Sequence, residues 1–133
     1  MSQENVEIVR AHIEAFLHDA PRALSFFDPY VVIDWSRGPW LDIEVAYGHE
    51  AVAQAVARFV GAFDEYAYEV ERLTDLGSGA ILAAVTETGR GRSSGVPVRR
   101  SYAALYTVID RKIARITIFS SEERAREALG LPE

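Results

Sequence analysis

The sequence predicts an α+β fold in which helices cover one face of a curved antiparallel sheet. Three observations carry that reading. Between Tyr66 and Phe119, four segments alternate apolar and polar residues as strands do, as in Ile81, Ala83 and Val85 and again in Ile116 and Ile118. Turn signals at Gly77-Ser78-Gly79, Ser93-Ser94-Gly95 and Asp110-Arg111-Lys112 separate them into a meander with three hairpins. Upstream, apolar residues recur at helical spacing instead, in Val6, Val9, Ile13, Phe16 and Leu17 and in Val52, Val56, Phe59, Val60 and Phe63. A sheet covered in this way can enclose a pocket between its layers.

Taken in order, the first helix is expected from Gln3 to His18, with Ser2 as N-cap and Glu4 complementing the helix dipole. His12 sits one turn from Val9 and one from Phe16, on or beside the buried stripe, so its ring faces core or pocket. A core histidine and a functional one both satisfy that placement. Asp19 and Pro21 start a second helix with Ala23, Leu24 and Phe27 on its buried face, and Asp28-Pro29 ends it. Tyr30 to Trp35 reads as a strand with Val31, Ile33 and Trp35 on one face and Asp34 on the other. Ser36 to Gly48 has no sustained period and is expected to be a loop, on which Trp40 and Tyr47 either close a pocket mouth or cover the sheet. Gly48-His49-Glu50 opens the third helix, where His49 is expected to contact backbone.

In the meander, Tyr66, Tyr68 and Val70 share one face of a half-exposed strand predicted from Tyr66 to Leu73. Strand parity puts Glu87 on the apolar face with Val85, where a carboxylate must be paired, hydrogen-bonded or neutralised by a raised pKa. Tyr102, Ala104, Tyr106 and Val108 share a face of the strand from Pro97 to Ile109. Tyr102 and Tyr106 serve there as sheet packing or as hydrogen-bond donors into a cavity. After the last strand, Ser120-Ser121-Glu122-Glu123 leads into a short helix that Gly130 ends.

Composition narrows the function. A length of 133 residues with 49% hydrophobic and 26% charged side chains is that of one globular domain, expected over residues 1–133. A net charge of -6 leaves no electrostatic footprint for nucleic acid or an anionic membrane. There is no cysteine, which excludes thiolate chemistry and disulfides. No apolar run is long enough to span a membrane, and the start Met1-Ser2-Gln3-Glu4 lacks the basic character of a signal peptide, so a cytoplasmic location is expected. His12, His18 and His49 are too dispersed to predict a metal site, and no cofactor is expected.

The element order, together with Glu4-Asn5-Val6-Glu7-Ile8-Val9-Arg10, Phe27-Asp28-Pro29 ahead of Asp34-Trp35, and Tyr47-Gly48-His49-Glu50, resembles the SnoaL-like branch of the nuclear transport factor 2-like (NTF2-like) superfamily. The run Gly89-Arg90-Gly91-Arg92-Ser93-Ser94-Gly95-Val96 and the close Asp110-Arg111-Lys112-Ile113 extend the resemblance over nearly the whole chain. It implies an α+β cone, a curved antiparallel sheet wrapped around three helices with a short C-terminal helix. A small-molecule pocket in the cone's mouth and a homodimer across the outer sheet face are implied with it. Steroid isomerase, limonene epoxide hydrolase and polyketide cyclases share this shape, and fold alone does not choose among them. The isomerase's tyrosine, base and acid positions align with His12, Trp35 and Ala104, so all three differ here. The epoxide hydrolase's Asp-Arg-Asp set has no counterpart, since no inward arginine accompanies Glu87.

The resulting expectation is a pocket for a small hydrophobic molecule. Its activity would be cofactor-independent proton transfer of the isomerase, cyclase-like lyase or hydrolase kind. His12 is the candidate acid or base, within hydrogen-bond reach of Glu87 directly or through one water, and Tyr102 or Tyr106 donates to a developing oxyanion. Phe16, Trp35, Trp40, Tyr47 and Phe59 are expected to line the pocket. Phe63, Val85, Ala104, Ile116 and Ile118 complete the expected lining. The alternatives are a non-catalytic or vestigial ligand-binding member, or a dimerising scaffold whose cavity is filled by Trp35, Trp40, Phe59 and Phe63.

Overall fold

Two helices open the chain and fold back on each other. In the computed structural model, which describes residues 2–38 and 45–131, α1 spans Ser2–Ala15 and α2 spans Ala20–Ser25. Helix α1 stops short of the expected His18 because the amides of His18 and Asp19 both turn back to the Ala15 carbonyl. Asp19 then caps α2 by accepting from the Arg22 amide at 3.2 Å.

Strand β1 runs Phe27–Arg37 and begins earlier than the sequence predicts, since Phe27 already pairs with Ile113. Pro29, which has no amide to donate, falls in the register shift between Phe27 and Val32. A short strand β2 (Val45–Tyr47) lies inside the segment expected to be a loop and pairs antiparallel with β1. Helix α3 (Gly48–Gly61) follows at once. His49 Nε2 lies 3.1 Å from the carbonyl oxygens of both Phe27 and Asp28 and pins the start of α3 to β1, the backbone role expected of it.

The meander forms as β3 (Phe63–Gly77), β4 (Ala80–Gly91), β5 (Pro97–Ile109) and β6 (Lys112–Phe119), followed by α4 (Glu122–Ala128). The strands make one curved, unclosed sheet in the order β2-β1-β6-β5-β4-β3, antiparallel throughout except where β1 runs parallel to β6. Three register shifts in β3 bend that long edge strand. Gly79, at φ +83°, lets the β3–β4 turn approach β5 so closely that a Cβ there would lie 2.3 Å from the Val108 carbonyl oxygen.

Register sorts the inner face into rows across the sheet. Ile33, Ile116, Tyr106 and Ile81 form one row, and Ile118, Ala104, Ala83 and Leu73 the next. Tyr102, Val85 and Val70 form a third, and Arg100, Glu87 and Tyr68 a fourth. Helices α1 to α3 cover this face, with Val9 and Val52 fully buried against it. On the outer face, α4 buries Ala125 against Leu82, Ala103 and Phe119.

Candidate functional site

Between the three helices and the inner rows lies a cavity of about 280 Å³. Its helical wall includes His12, Phe16, Ala23, Val52, Val56 and Phe59, and its sheet wall Trp35, Tyr66, Tyr68, Tyr102, Tyr106, Ile116 and Ile118. Among the described residues, no Asp, Glu, Lys or Arg lines it. No group of three His, Asp or Glu among the described residues is placed to hold a metal ion.

His12 is buried, and its Nδ1 lies 3.0 Å from the Ala23 carbonyl oxygen. A carbonyl only accepts, so Nδ1 carries the proton and Nε2 keeps a lone pair. Burial lowers its pKa to about 4, against the partly compensating bond to Ala23, so the ring is neutral at pH 7. Phe27 packs on it at 4.8 Å between ring centroids, and Tyr106 stands edge-on at 6.1 Å.

Glu87 faces inward as strand parity predicts and is 1% exposed. Its Oε1 accepts from the Tyr66 hydroxyl at 2.5 Å, while Oε2 lies 3.9 Å from Arg100 Nη1. Burial pushes its pKa up; the Tyr66 bond and the Arg100 charge both favour the carboxylate and act against that shift. Beyond Tyr66 the phenols of Tyr102, Tyr68 and Tyr106 line the same wall, with the Tyr68 and Tyr102 rings edge-on at 6.2 Å between centroids. Burial raises the pKa of all four above the ordinary phenol value, and all are protonated at pH 7. The small Ala83 and Ala104 pair between the Val85–Tyr102 and Ile81–Tyr106 pairs.

Of the residues expected in the site, His12, Tyr102, Tyr106, Phe16, Trp35, Phe59, Ile116 and Ile118 line the cavity. Glu87 does not, because Tyr66 covers it. The expected contact of His12 with Glu87 is not formed: the imidazole is turned to Ala23, and the carboxylate to Tyr66 and Arg100. Val85 and Ala104 are buried on the inner face but are too short to rise past the neighbouring phenols into the cavity. Phe63 stacks outside it on Phe59 and Tyr66 at 5.5 and 5.6 Å. Tyr47 is 69% exposed, because the parity of β2 turns Ala46 inward and Tyr47 out. Trp40 lies outside the described residues. Asp34 faces outward, bound by Ser36 and Arg115.

Three contributors escape the sequence analysis: Tyr66, Tyr68 and Arg100. An inward arginine does accompany Glu87, and its signal was present in the sequence. Glu87 stands six residues before Ser93 and Arg100 six after Ser94, so a hairpin turning at that pair sets them opposite each other. Tyr66 and Tyr68 share the face of Val70 as parity predicts, but parity says nothing of how far a phenol reaches.

A curved, unclosed sheet with a cavity under three helices defines the SnoaL-like fold class. The chain belongs to the SnoaL-like domain family, whose model matches residues 9–116. No curated protein matches it in sequence. Among solved structures it is similar to an NTF2-like protein from Burkholderia xenovorans LB400, at 24% identity over 90% of each chain with a TM-score of 0.73. It is also similar to a protein with a ketosteroid isomerase-like fold from Catenulispora acidiphila DSM 44928 in complex with trimethylamine, at 16% identity over 95% of this chain and 94% of that one, TM-score 0.73. A third is TerC co-crystallized with polyporic acid, at 16% identity over 96% and 98%, TM-score 0.74. At these identities the likeness is one of fold.

Proposed function

We propose that this chain is a single-domain, cofactor-independent enzyme that transfers a proton on a small hydrophobic molecule held in the cavity, in an isomerisation, cyclisation or hydration. The observation that carries the reading is His12. Its ring is neutral and lines a cavity walled by aliphatic side chains, aromatic rings and phenols, and the Ala23 carbonyl holds the tautomer that leaves a lone pair on Nε2. A base preset in this way needs no reorganisation before it takes a proton from carbon, and the neighbouring phenol row supplies the polar partner for a substrate oxygen. Solvent-deuterium exchange into a panel of two-ring ketones and their enolisable 1,3-diketone analogues tests this. Wild type should accelerate exchange, and His12→Gln should lose about a hundredfold of that acceleration while keeping the fold by circular dichroism. Equal exchange rates in both proteins would refute it.

A second reading, a ligand-binding member without chemistry, is favoured by the absence of any carboxylate from the cavity lining among the described residues. It predicts ligand retained in native mass spectrometry with no exchange. The proposal extends to a homodimer across the outer sheet face and to a cytoplasmic location. The first is supported by the family's implied assembly, the second by the lack of cysteine. No helix among the described residues is long and apolar enough to cross a membrane. Sedimentation at two concentrations tests the dimer.

A further inference from the structure

Glu87 is a buried acid that proton removal by His12 leaves unused. It lies outside the cavity, yet its Oε1 accepts from the Tyr66 hydroxyl at 2.5 Å, and Tyr66 lines the cavity. On the far side of the carboxyl, Oε2 faces Arg100 Nη1 at 3.9 Å and has no hydrogen-bond partner among the described residues. A guanidinium only donates, so a proton added to Glu87 belongs on Oε1, where it turns towards Tyr66. A phenol that accepts this bond can turn its own proton into the cavity.

We propose that Tyr66 protonates the substrate oxygen and that Glu87 is the buried proton source behind it, so that this site takes carbonyl compounds and converts them to the neutral enol. The proposal rests on the proton-transfer reading of His12. The step balances. His12 Nε2 takes the α-proton, the C–H electrons form the carbon–carbon double bond, the carbonyl oxygen takes the Tyr66 proton, and Glu87 Oε1 passes its own proton to Tyr66. An enol, an imidazolium and a carboxylate result. Electrostatics favours this course, because no charged side chain among the described residues lines the cavity, and an enolate left there would be poorly solvated. The relay instead places the negative charge on Glu87, 3.9 Å from the Arg100 guanidinium. The groups that face Glu87 are Tyr66 and Tyr68 from β3 and Arg100 and Tyr102 from β5, with Phe59 of α3 edge-on to Tyr66. Beside His12 the titratable group is Tyr106, at 6.1 Å between ring centroids. Burial pushes the Glu87 pKa up and the His12 pKa down to about 4, so mildly acidic solution favours the acid form of one and the neutral form of the other.

The test compares 1-tetralone with tetralin, which share a two-ring frame and differ in the carbonyl. A cavity of about 280 Å³, nearly twice the ~150 Å³ that takes one benzene, has room for that frame. Calorimetric titration of wild type should show the preference for tetralone growing about fivefold from pH 8 to pH 5, as Glu87 gains its proton and Tyr66 becomes a donor to the ligand. In Glu87→Gln the Arg100 side favours the amide oxygen and leaves the NH2 facing Tyr66. This variant should keep the tetralone preference at every pH, yet lose about a hundredfold of deuterium exchange into tetralone, since an amide has no proton to pass on. Tyr66→Phe should lose both. In wild type alone, exchange above the uncatalysed rate should peak between pH 4 and 7 and fall towards pH 8, which decides the matter should either variant fail to fold. A tetralone preference that is flat with pH or survives Tyr66→Phe, or exchange as fast in Glu87→Gln as in wild type, would overturn the inference. Exchange that needs His12 but neither Tyr66 nor Glu87 overturns it alone, whereas no exchange in wild type overturns the proton-transfer reading with it.

Discussion

His12 makes the fold sensitive to acid in a window that can be worked out in advance. The unfolded chain takes up a proton on this side chain near pH 6.5, whereas the folded protein does so only near 4. Between those values the unfolded state holds more protons, so stability falls as pH falls. At 1.36 kcal/mol per pH unit, the drop from 6.5 to about 4 amounts to roughly 3 kcal/mol, a large share of the 5–15 kcal/mol by which a domain is usually stable. Glu87 acts in the opposite sense, since a carboxyl whose pKa is pushed up in the fold disfavours folding as pH rises through it. Asp34, held low by its bonds to Ser36 and the Arg115 charge, loses its contribution below the window. Both act equally in His12→Gln, whose amide can still donate to the Ala23 carbonyl but does not titrate. Urea unfolding followed by tryptophan fluorescence, at intervals from pH 7 to pH 4, should therefore show wild type losing roughly 3 kcal/mol more than His12→Gln. Parallel losses in the two proteins would refute the account of His12 as a buried neutral ring.

Three further predictions follow from particular contacts. Tyr66→Phe removes the hydrogen bond to a buried carboxylate and should destabilise by about 1.5–3 kcal/mol at pH 7, by chemical denaturation, with a smaller effect in acid where Glu87 is protonated. Gly79→Ala combines a φ of +83° with a Cβ 2.3 Å from the Val108 carbonyl oxygen and should cost roughly 3 kcal/mol or more. At Gly95, where φ is +70° and nothing lies within 4 Å, the same change should cost about 1–2 kcal/mol; thermal melts of the pair separate collision from backbone strain. Arg72→Ala, which breaks the ion pair with Glu122 from a side chain that is 58% exposed, should change stability by no more than about 1 kcal/mol, and a larger loss would mean the pair is buried in solution.

The sequence by itself determined the meander, the helical stripes, the class of fold and the inward direction of Glu87. Each follows from a period of two or 3.6 residues, or from a turn signal, and such periods are local properties of the backbone. The tertiary structure alone decided that β1 lies parallel to β6, because no local pattern records which distant strand a segment will join. It also decided that Phe27 leaves the second helix for a strand and that Tyr47 turns to solvent on a strand where a loop was expected. In the site, His12 and Glu87 both lie on the buried side as their periods predict, yet do not meet. Which partner each takes depends on the reach of side-chain ends, His12 to a carbonyl eleven residues on and Glu87 to a phenol twenty-one residues back, and that is set by packing between helices and sheet. The meander thus carries in its pattern which residues face inward, and only the packed structure decides which of them reach the cavity.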